Sequence, residues 1–352
     1  MECIRNFYKG KKVFITGHTG FKGSWLSIWL NKLGAEVIGY SNEVKTDKDN
    51  FVLAGLNKKL IDLRGDINDQ LLLTSIQKYK PEIVFHLAAQ PLVLYSYENP
   101  LETYMSNVMG TLNLLEAIKK CESVKSVVVI TTDKCYLNNE WCFGYREIDA
   151  LGGCDPYSSS KACAEIAVDS FRKSYFSDLK RGIATARAGN VIGGGDWSAD
   201  RIIPDAIRKL SKNEVINVRN PNFIRPWQHV LEPLGGYLVL AMKLYNDPVR
   251  YSEAFNFGPK NSEVLDVESI VKKIVHFYGQ GNYTTANSET NPHEANTLTL
   301  DISKSMHELN WKPKLNIDQA IEMTIEWYKN YDKVDVYELC LNQISYYENF
   351  KD

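Results

Sequence analysis

Short apolar, β-branched runs alternate with longer stretches of helical spacing through the first half of the chain, and this alternation limits the fold most. The runs are Val13–Thr16, Glu36–Tyr40, Leu60–Asp62, Ile83–His86 and Val127–Thr131. Between them, helical spacing covers Trp25–Leu33, which Gly34 stops, then Asp69–Tyr79 and Pro100–Lys120 with Leu112, Leu115 and Ile118 on one side. Runs this short and apolar are strands covered on both faces, and parallel neighbours need a crossover long enough to hold a helix. The order predicts an α/β protein with a doubly wound parallel sheet. A helix ending near Tyr175 and later strands at Gly182–Ala188 and Ala254–Phe257 extend the series.

The remainder is less regular. Segments 191–229 and 259–314 are rich in loops, with Gly193-Gly194-Gly195 and Asn220-Pro221. They are read as a smaller mixed α/β substrate-binding lobe. The boundaries expected are 1–190 for a dinucleotide-binding domain, to which 230–258 returns, and 191–229 with 259–352 for the lobe. No Pro/Gly/Ser linker separates the two parts, so they are expected to fold as one unit.

A net charge of −2 gives no overall field for nucleic acid or an anionic membrane. Seven scattered cysteines without a C-x-x-C pair argue against a disulfide framework and a zinc site, and no metal is expected. The N-terminal stretch carries no apolar signal core, and no run reaches membrane-spanning length. A cytoplasmic protein is expected.

Two segments carry chemistry. Gly17, Gly20 and Gly23 lie between the first strand and the first helix. Glycines there allow a tight turn and close backbone approach, and the helix start offers unpaired N–H groups to a pyrophosphate. Thr19, Phe21 and Lys22 belong to the same loop. Asp66-Ile67 after the third strand is placed for an adenine, and Ala88-Ala89-Gln90 ends the fourth strand where a dinucleotide would pass. The second strand ends Gly39-Tyr40-Ser41-Asn42, without the acidic residue that binds a ribose 2′-hydroxyl. The choice between NAD and NADP therefore stays open at that position. Further along, Tyr157 and Lys161 are four residues apart on one helix face, so the ammonium can depress the phenol pKa. Thr132-Asp133-Lys134 ends an apolar strand, where sites of such sheets lie.

The Gly17/Gly20/Gly23 loop, Asn107, Thr132 and Tyr157-x-x-x-Lys161 occur in the order of the extended short-chain dehydrogenases/reductases, which the chain resembles from Val13 to about Tyr328. Longer strings narrow the resemblance. Gly17–Trp25, Thr132–Tyr136, Arg187–Trp197 and Arg225–Val230 resemble those of the nucleotide-sugar 4,6-dehydratases that act on CDP-glucose. The resemblance implies a Rossmann domain, NAD as cofactor, a CDP-hexose as substrate and a homodimer built on helices 100–120 and 158–175. It gives Tyr157 the removal of the sugar 4-hydroxyl proton, Lys161 the nicotinamide ribose, Thr132 a hydrogen bond to the 4-hydroxyl and Asp133 the protonation of the departing 6-hydroxyl. Asn107 joins the cofactor set, and Asn190, Arg201, Arg219 and Arg225 the nucleotide set.

Lys134 departs from the dTDP-glucose dehydratases, where a glutamate acts as the C5 base. A lysine can do that work if neutral, or it can steady an enolate as a cation. The expected product is CDP-4-keto-6-deoxy-D-glucose. A 4-epimerase or 4-dehydrogenase would share Tyr157, Lys161 and Thr132 without needing Asp133 and Lys134, and a dinucleotide-sensing regulator would need none of these five.

Overall fold

The computed structural model describes residues 2–176, 181–260, 264–285 and 297–350. Seven strands form one parallel sheet: β1 (Lys12–Thr16), β2 (Glu36–Ser41), β3 (Ile61–Arg64), β4 (Ile83–His86), β5 (Ser126–Ile130), β6 (Gly182–Arg187) and β7 (Ala254–Asn256). Their spatial order is β7-β6-β5-β4-β1-β2-β3, all neighbours parallel. Chain direction across the sheet reverses between β4 and β1, the switch point at which α/β sheets of this kind leave a crevice beyond the strand carboxyl ends. The loops after β1, β4, β5 and β6 open there.

The central strands are mostly apolar because both faces are covered. One core holds Val13, Ile15, Phe85 and Val128 with Trp25, Trp29 and Leu238. The other holds Phe14, Val84, Val127 and Val129 with Leu114, Leu115 and Ile118. Every residue of β4 and β5 is buried, as the lack of alternation requires.

The helix expected over Pro100–Lys120 is interrupted. Helical turns at Pro100–Tyr104 and Gly110–Lys119 flank a wider π-type turn at Met105–Met109. An inserted turn of this kind leaves the periodic apolar pattern almost intact, so spacing alone does not reveal it. Helices at Glu2–Tyr8 and Val93–Glu98 add to those expected.

Beyond β6 the chain builds small pairs: Val191–Ile192 with Gln228–His229, Ile224–Arg225 with Leu265–Asp266, and Ile216–Val218 with Tyr283–Thr285. Helices at Ile202–Leu210 and Val267–Tyr278 pack beside them. The last helix, Val336–Asn349, belongs by sequence order with the 259–352 segment, yet it packs on the first-half helix Phe21–Lys32. Trp29 stacks edge-on against Tyr347 and donates its indole N–H to Glu348.

Candidate active site

The turn after β1 is built for a close backbone approach. Gly17 sits at φ +73, and a Cβ there would lie 2.6 Å from the Ala88 amide nitrogen of the neighbouring loop. A Cβ on Gly23 would lie 2.1 Å from the Gly17 carbonyl oxygen, so the helix start is folded directly onto the loop. No side chain caps the helix Phe21–Lys32 at Gly20, which leaves its first amides for an anion. These residues fit a dinucleotide pyrophosphate. At the end of β2, Ser41 shares a 2.8 Å hydrogen bond with Thr19, and Ser41, Asn42 and Glu43 line the cleft.

One cavity of about 1090 Å³ runs along the carboxyl ends of the strands. Pockets for one small ligand span roughly 300–1,000 Å³, so this cleft lies at the top of that range. It is lined by every candidate site residue of the sequence except Gln90 and Asn107. Those two form its supporting wall. The wide turn aims the Asn107 side chain at Gln90, accepting from the Gln90 amide at 2.8 Å and donating to its carbonyl at 3.0 Å. Asn107 also donates to Ser160 at 2.9 Å, and the Gln90 side chain is taken up by Thr103 and Leu92. These bonds brace the β4 loop against the Tyr157 helix.

The reactive groups come from two elements. Thr132 follows β5, and its hydroxyl caps the short turn Asp133–Cys135. Tyr157 and Lys161 come from the helix Pro156–Tyr175, whose start is capped by Asp155 through the Ser158 amide at 2.9 Å. Thr132, Asp133, Tyr157 and Lys161 are buried, and Lys134 is half-buried at the cleft wall. Lys161 donates to the Ile130 carbonyl at 3.2 Å, which fixes the ammonium beneath the end of β5. Burial lowers its pKa to about 8, with Glu165 pulling the other way.

Burial likewise pushes the Tyr157 phenol up to about 12, against the opposing pull of a hydrogen bond with Thr132 and the charge of Arg201. Desolvation dominates the phenol, so the depression expected from Lys161 does not set its pKa. Burial also raises the Asp133 carboxyl, with Lys134 and the Thr132 hydrogen bond opposing it. Asp133 is thereby biased toward the protonated form that a general acid requires.

The cationic side of the cleft lies opposite. Arg201 Nη1 pairs with the buried Asp196 at 2.8 Å. Arg225 is buried and donates to the Ile224 carbonyl, whereas Arg219 is half-exposed and paired with Asp200 at 3.0 Å. Asn190 turns the chain after β6 at φ +46. Lys22 of the glycine loop faces the same space, and burial together with the Arg201 charge brings its pKa down to about 7. Trp197 and Trp227 also line the cleft. Trp197 stands edge-on against Tyr328 and Tyr331, a packing arrangement.

Some residues beneath the site carry no local signal in the sequence. Glu165 accepts from Thr185 at 2.7 Å and from Arg187 at 2.8 Å, and also bonds Thr131, joining β5, β6 and the Tyr157 helix in a buried ion-pair network. Its one sequence cue is register: Tyr157, Lys161 and Glu165 fall on one helix stripe. Among the described residues no cluster of His, Cys, Asp and Glu could hold a metal ion, and no helix is long and apolar enough to cross a membrane.

Residues 14–324 match the model of the GDP-mannose 4,6 dehydratase family. The chain belongs to that family. It is 50% identical over 331 residues to a CDP-glucose 4,6-dehydratase of Salmonella typhimurium, covering 92% of each chain. Among solved structures, a dTDP-glucose 4,6-dehydratase from Bacillus anthracis in complex with NAD superposes with a TM-score of 0.77 at 21% identity, covering 94% of this chain and 100% of that one. An epimerase from Methanothermobacter thermautotrophicus gives 0.80 at 22% identity, with 97% of both chains covered. At such identities the two structures show the fold, an extended Rossmann sheet.

Proposed function

We propose that this chain is an NAD-dependent nucleotide-sugar 4,6-dehydratase, a hydro-lyase that converts CDP-D-glucose to CDP-4-keto-6-deoxy-D-glucose. The observation that carries this reading is the buried Asp133 hydrogen-bonded to Thr132 in the same cleft as Tyr157 and Lys161. An epimerase or simple dehydrogenase needs the last three but has no work for the acid. The 50% identity to a CDP-glucose 4,6-dehydratase supports both the reaction and the choice of nucleotide.

Gly17, Gly20 and Gly23 with the helix start would hold the pyrophosphate of NAD, Asp66 and Ile67 the adenine end, and Lys161 the nicotinamide ribose. Bound there, NAD would supply the hydride acceptor for C4 and the hydride donor for C6. Tyr157 removes the 4-hydroxyl proton while Thr132 orients that hydroxyl. The resulting 4-ketone acidifies the C5 proton, which Lys134 takes. The freed electron pair forms the C5–C6 double bond, the C6–O bond breaks, and the Asp133 proton leaves with the oxygen as water. Hydride at C6 would push a pair back to C5, which takes its proton from the Lys134 ammonium, exchangeable with solvent. Asn190, Arg201, Arg219 and Arg225 bind the nucleotide, with arginine forks suited to two phosphate oxygens.

The same reading makes the protein a cytoplasmic homodimer. In support of the dimer, Leu101, Met105 and Met109 on one long helical segment and Ile166 on the other are exposed apolar side chains on the two helices expected to pair.

The test is incubation with CDP-glucose in D2O without added reductant, followed by mass and NMR analysis. Loss of water with deuterium at C5 is expected. Unchanged sugar mass with inverted C4 would favour an epimerase, and no change in CDP-glucose would remove the assignment.

A further inference from the structure

The carboxylate of Asp133 rests on bare backbone. A Cβ added to Gly189 would lie 1.8 Å from Asp133 Oδ2, 2.0 Å from its Cγ and 2.3 Å from Oδ1. Real Cβ atoms do not approach other atoms so closely, so no side chain can stand at 189 while the acid keeps its place. Backbone conformation is not the reason for glycine here. Gly189 has no positive φ, unlike Gly17 or Gly195, and alanine could adopt its geometry.

The segment cannot easily retreat either. Gln228 Nε2 donates to the Gly189 carbonyl at 3.3 Å and to the Phe257 carbonyl at 2.8 Å, and the Gln228 amide donates to the Asn190 carbonyl at 3.3 Å. On the other side Asp133 Oδ1 accepts from Thr132 at 3.0 Å, and Oδ2 has no hydrogen-bond partner among the described residues. The acid is held by one hydrogen bond and one steric wall.

We propose that Gly189 is a positioning residue for the elimination step: its bare Cα is the seat that keeps the Asp133 carboxyl beside Thr132 and over the cleft. This rests on the dehydratase reading for its consequence, though not for its geometry. A methyl group at 189 drives the carboxylate off the Thr132 hydroxyl and out of reach of the sugar 6-oxygen. Hydride removal at C4 does not use Asp133, so it survives the change. Water loss does not.

The test is Gly189→Ala made in the natural chain and in an Asp133→Ala background. In the natural chain, single-turnover mixing with CDP-glucose should still give the absorbance of reduced nicotinamide, while water elimination falls by about 10²–10⁴-fold, the range for losing a positioned proton donor. The Tm should fall as well. In the Asp133→Ala background the same substitution should change neither the C4 oxidation rate nor the Tm, because the three atoms nearest the new methyl are gone. If Gly189→Ala fails to fold alone, folding of the double variant gives the same coupling. Equal loss of oxidation and elimination, or an equal Tm cost in both backgrounds, would overturn the seat. Should the unmodified protein leave CDP-glucose untouched, the dehydratase reading fails instead, and the Tm comparison still decides the seat.

Discussion

The Thr132 hydroxyl donates to Asp133 Oδ1 across 3.0 Å, tying the group that meets the sugar 4-hydroxyl to the acid proposed for the 6-hydroxyl. Because Asp133 Oδ2 has no hydrogen-bond partner among the described residues, this bond is the side chain's one hydrogen bond among them. Thr132→Val keeps the shape and removes the hydroxyl. The variant should lose about 10²–10⁴-fold in kcat, the span for a misplaced acid–base group, with a smaller change in KM. Thr132→Ser should recover most of the activity, which a steady-state comparison of the three proteins would show.

Lys134 follows the acid immediately, and its charge works against the rise in the Asp133 pKa. As the C5 base it must exchange a proton with the sugar, whereas an electrostatic role needs only its charge. Lys134→Ala is expected to abolish deuterium uptake at C5 in D2O while leaving C4 oxidation measurable in a single turnover. Lys134→Arg keeps a cation that does not deprotonate near neutral pH, so it should be as inactive in exchange as the alanine variant. An arginine variant that exchanges C5 would favour the electrostatic role.

The parallel sheet, the glycine turn and the two reactive segments were legible because each depends on local chemistry that spacing displays. Gly17 needs a positive φ, and Tyr157 with Lys161 needs only helical register. What spacing could not display was contact at long range. The wide turn that sends Asn107 to Gln90 leaves an apolar helical pattern unaltered, so the mutual bonds of these two expected cofactor residues could not be read from spacing. Gly189 gives no local signal at all, because its constraint is a carboxylate 56 positions earlier in the chain. The Tyr157 pKa misled for a related reason: register shows the lysine four residues on, whereas the burial that dominates the phenol is a property of the whole fold.

Arg201 and Arg219 both line the nucleotide side of the cleft, yet their ion pairs differ in burial. Asp196 is buried, and the Arg201 guanidinium holds its carboxyl below the usual range. Removing Arg201, whose own side chain is one-third exposed, leaves the buried Asp196 carboxylate with the Ser198 amide, a cost of about 1–3 kcal/mol. The Arg219–Asp200 pair is about half-exposed on both sides, where such pairs contribute roughly 0–1 kcal/mol. Arg201→Ala should therefore lower Tm clearly and raise KM for CDP-glucose. Arg219→Ala should raise KM with little change in Tm. Thermal melts beside substrate titrations would separate the two effects.

Glu232, away from the cleft, predicts a dependence of stability on pH. It is buried in the first turn of the helix Leu231–Asn246, with Oε1 accepting from the Lys314 and Leu315 amides at 2.8 and 2.6 Å and Oε2 from the Tyr347 hydroxyl at 2.8 Å. The Lys314 ammonium nearby donates to the Tyr347 carbonyl. Burial dominates these bonds and raises the carboxyl from 4.5 to about 7. Below pH 4.5 folded and unfolded chains both hold the proton, and Glu232 costs nothing by titration. Between 4.5 and 7 the unfolded chain releases it first, so stability falls as pH rises, by about 3 kcal/mol in all. Glu232→Gln keeps an oxygen for the two amides and cannot ionise. The difference in unfolding free energy between the natural protein and this variant should therefore shift in favour of the variant from pH 4.5 to 7 and stay level above it. A difference that does not change across that interval would mean that the carboxyl titrates at its ordinary value in the folded protein.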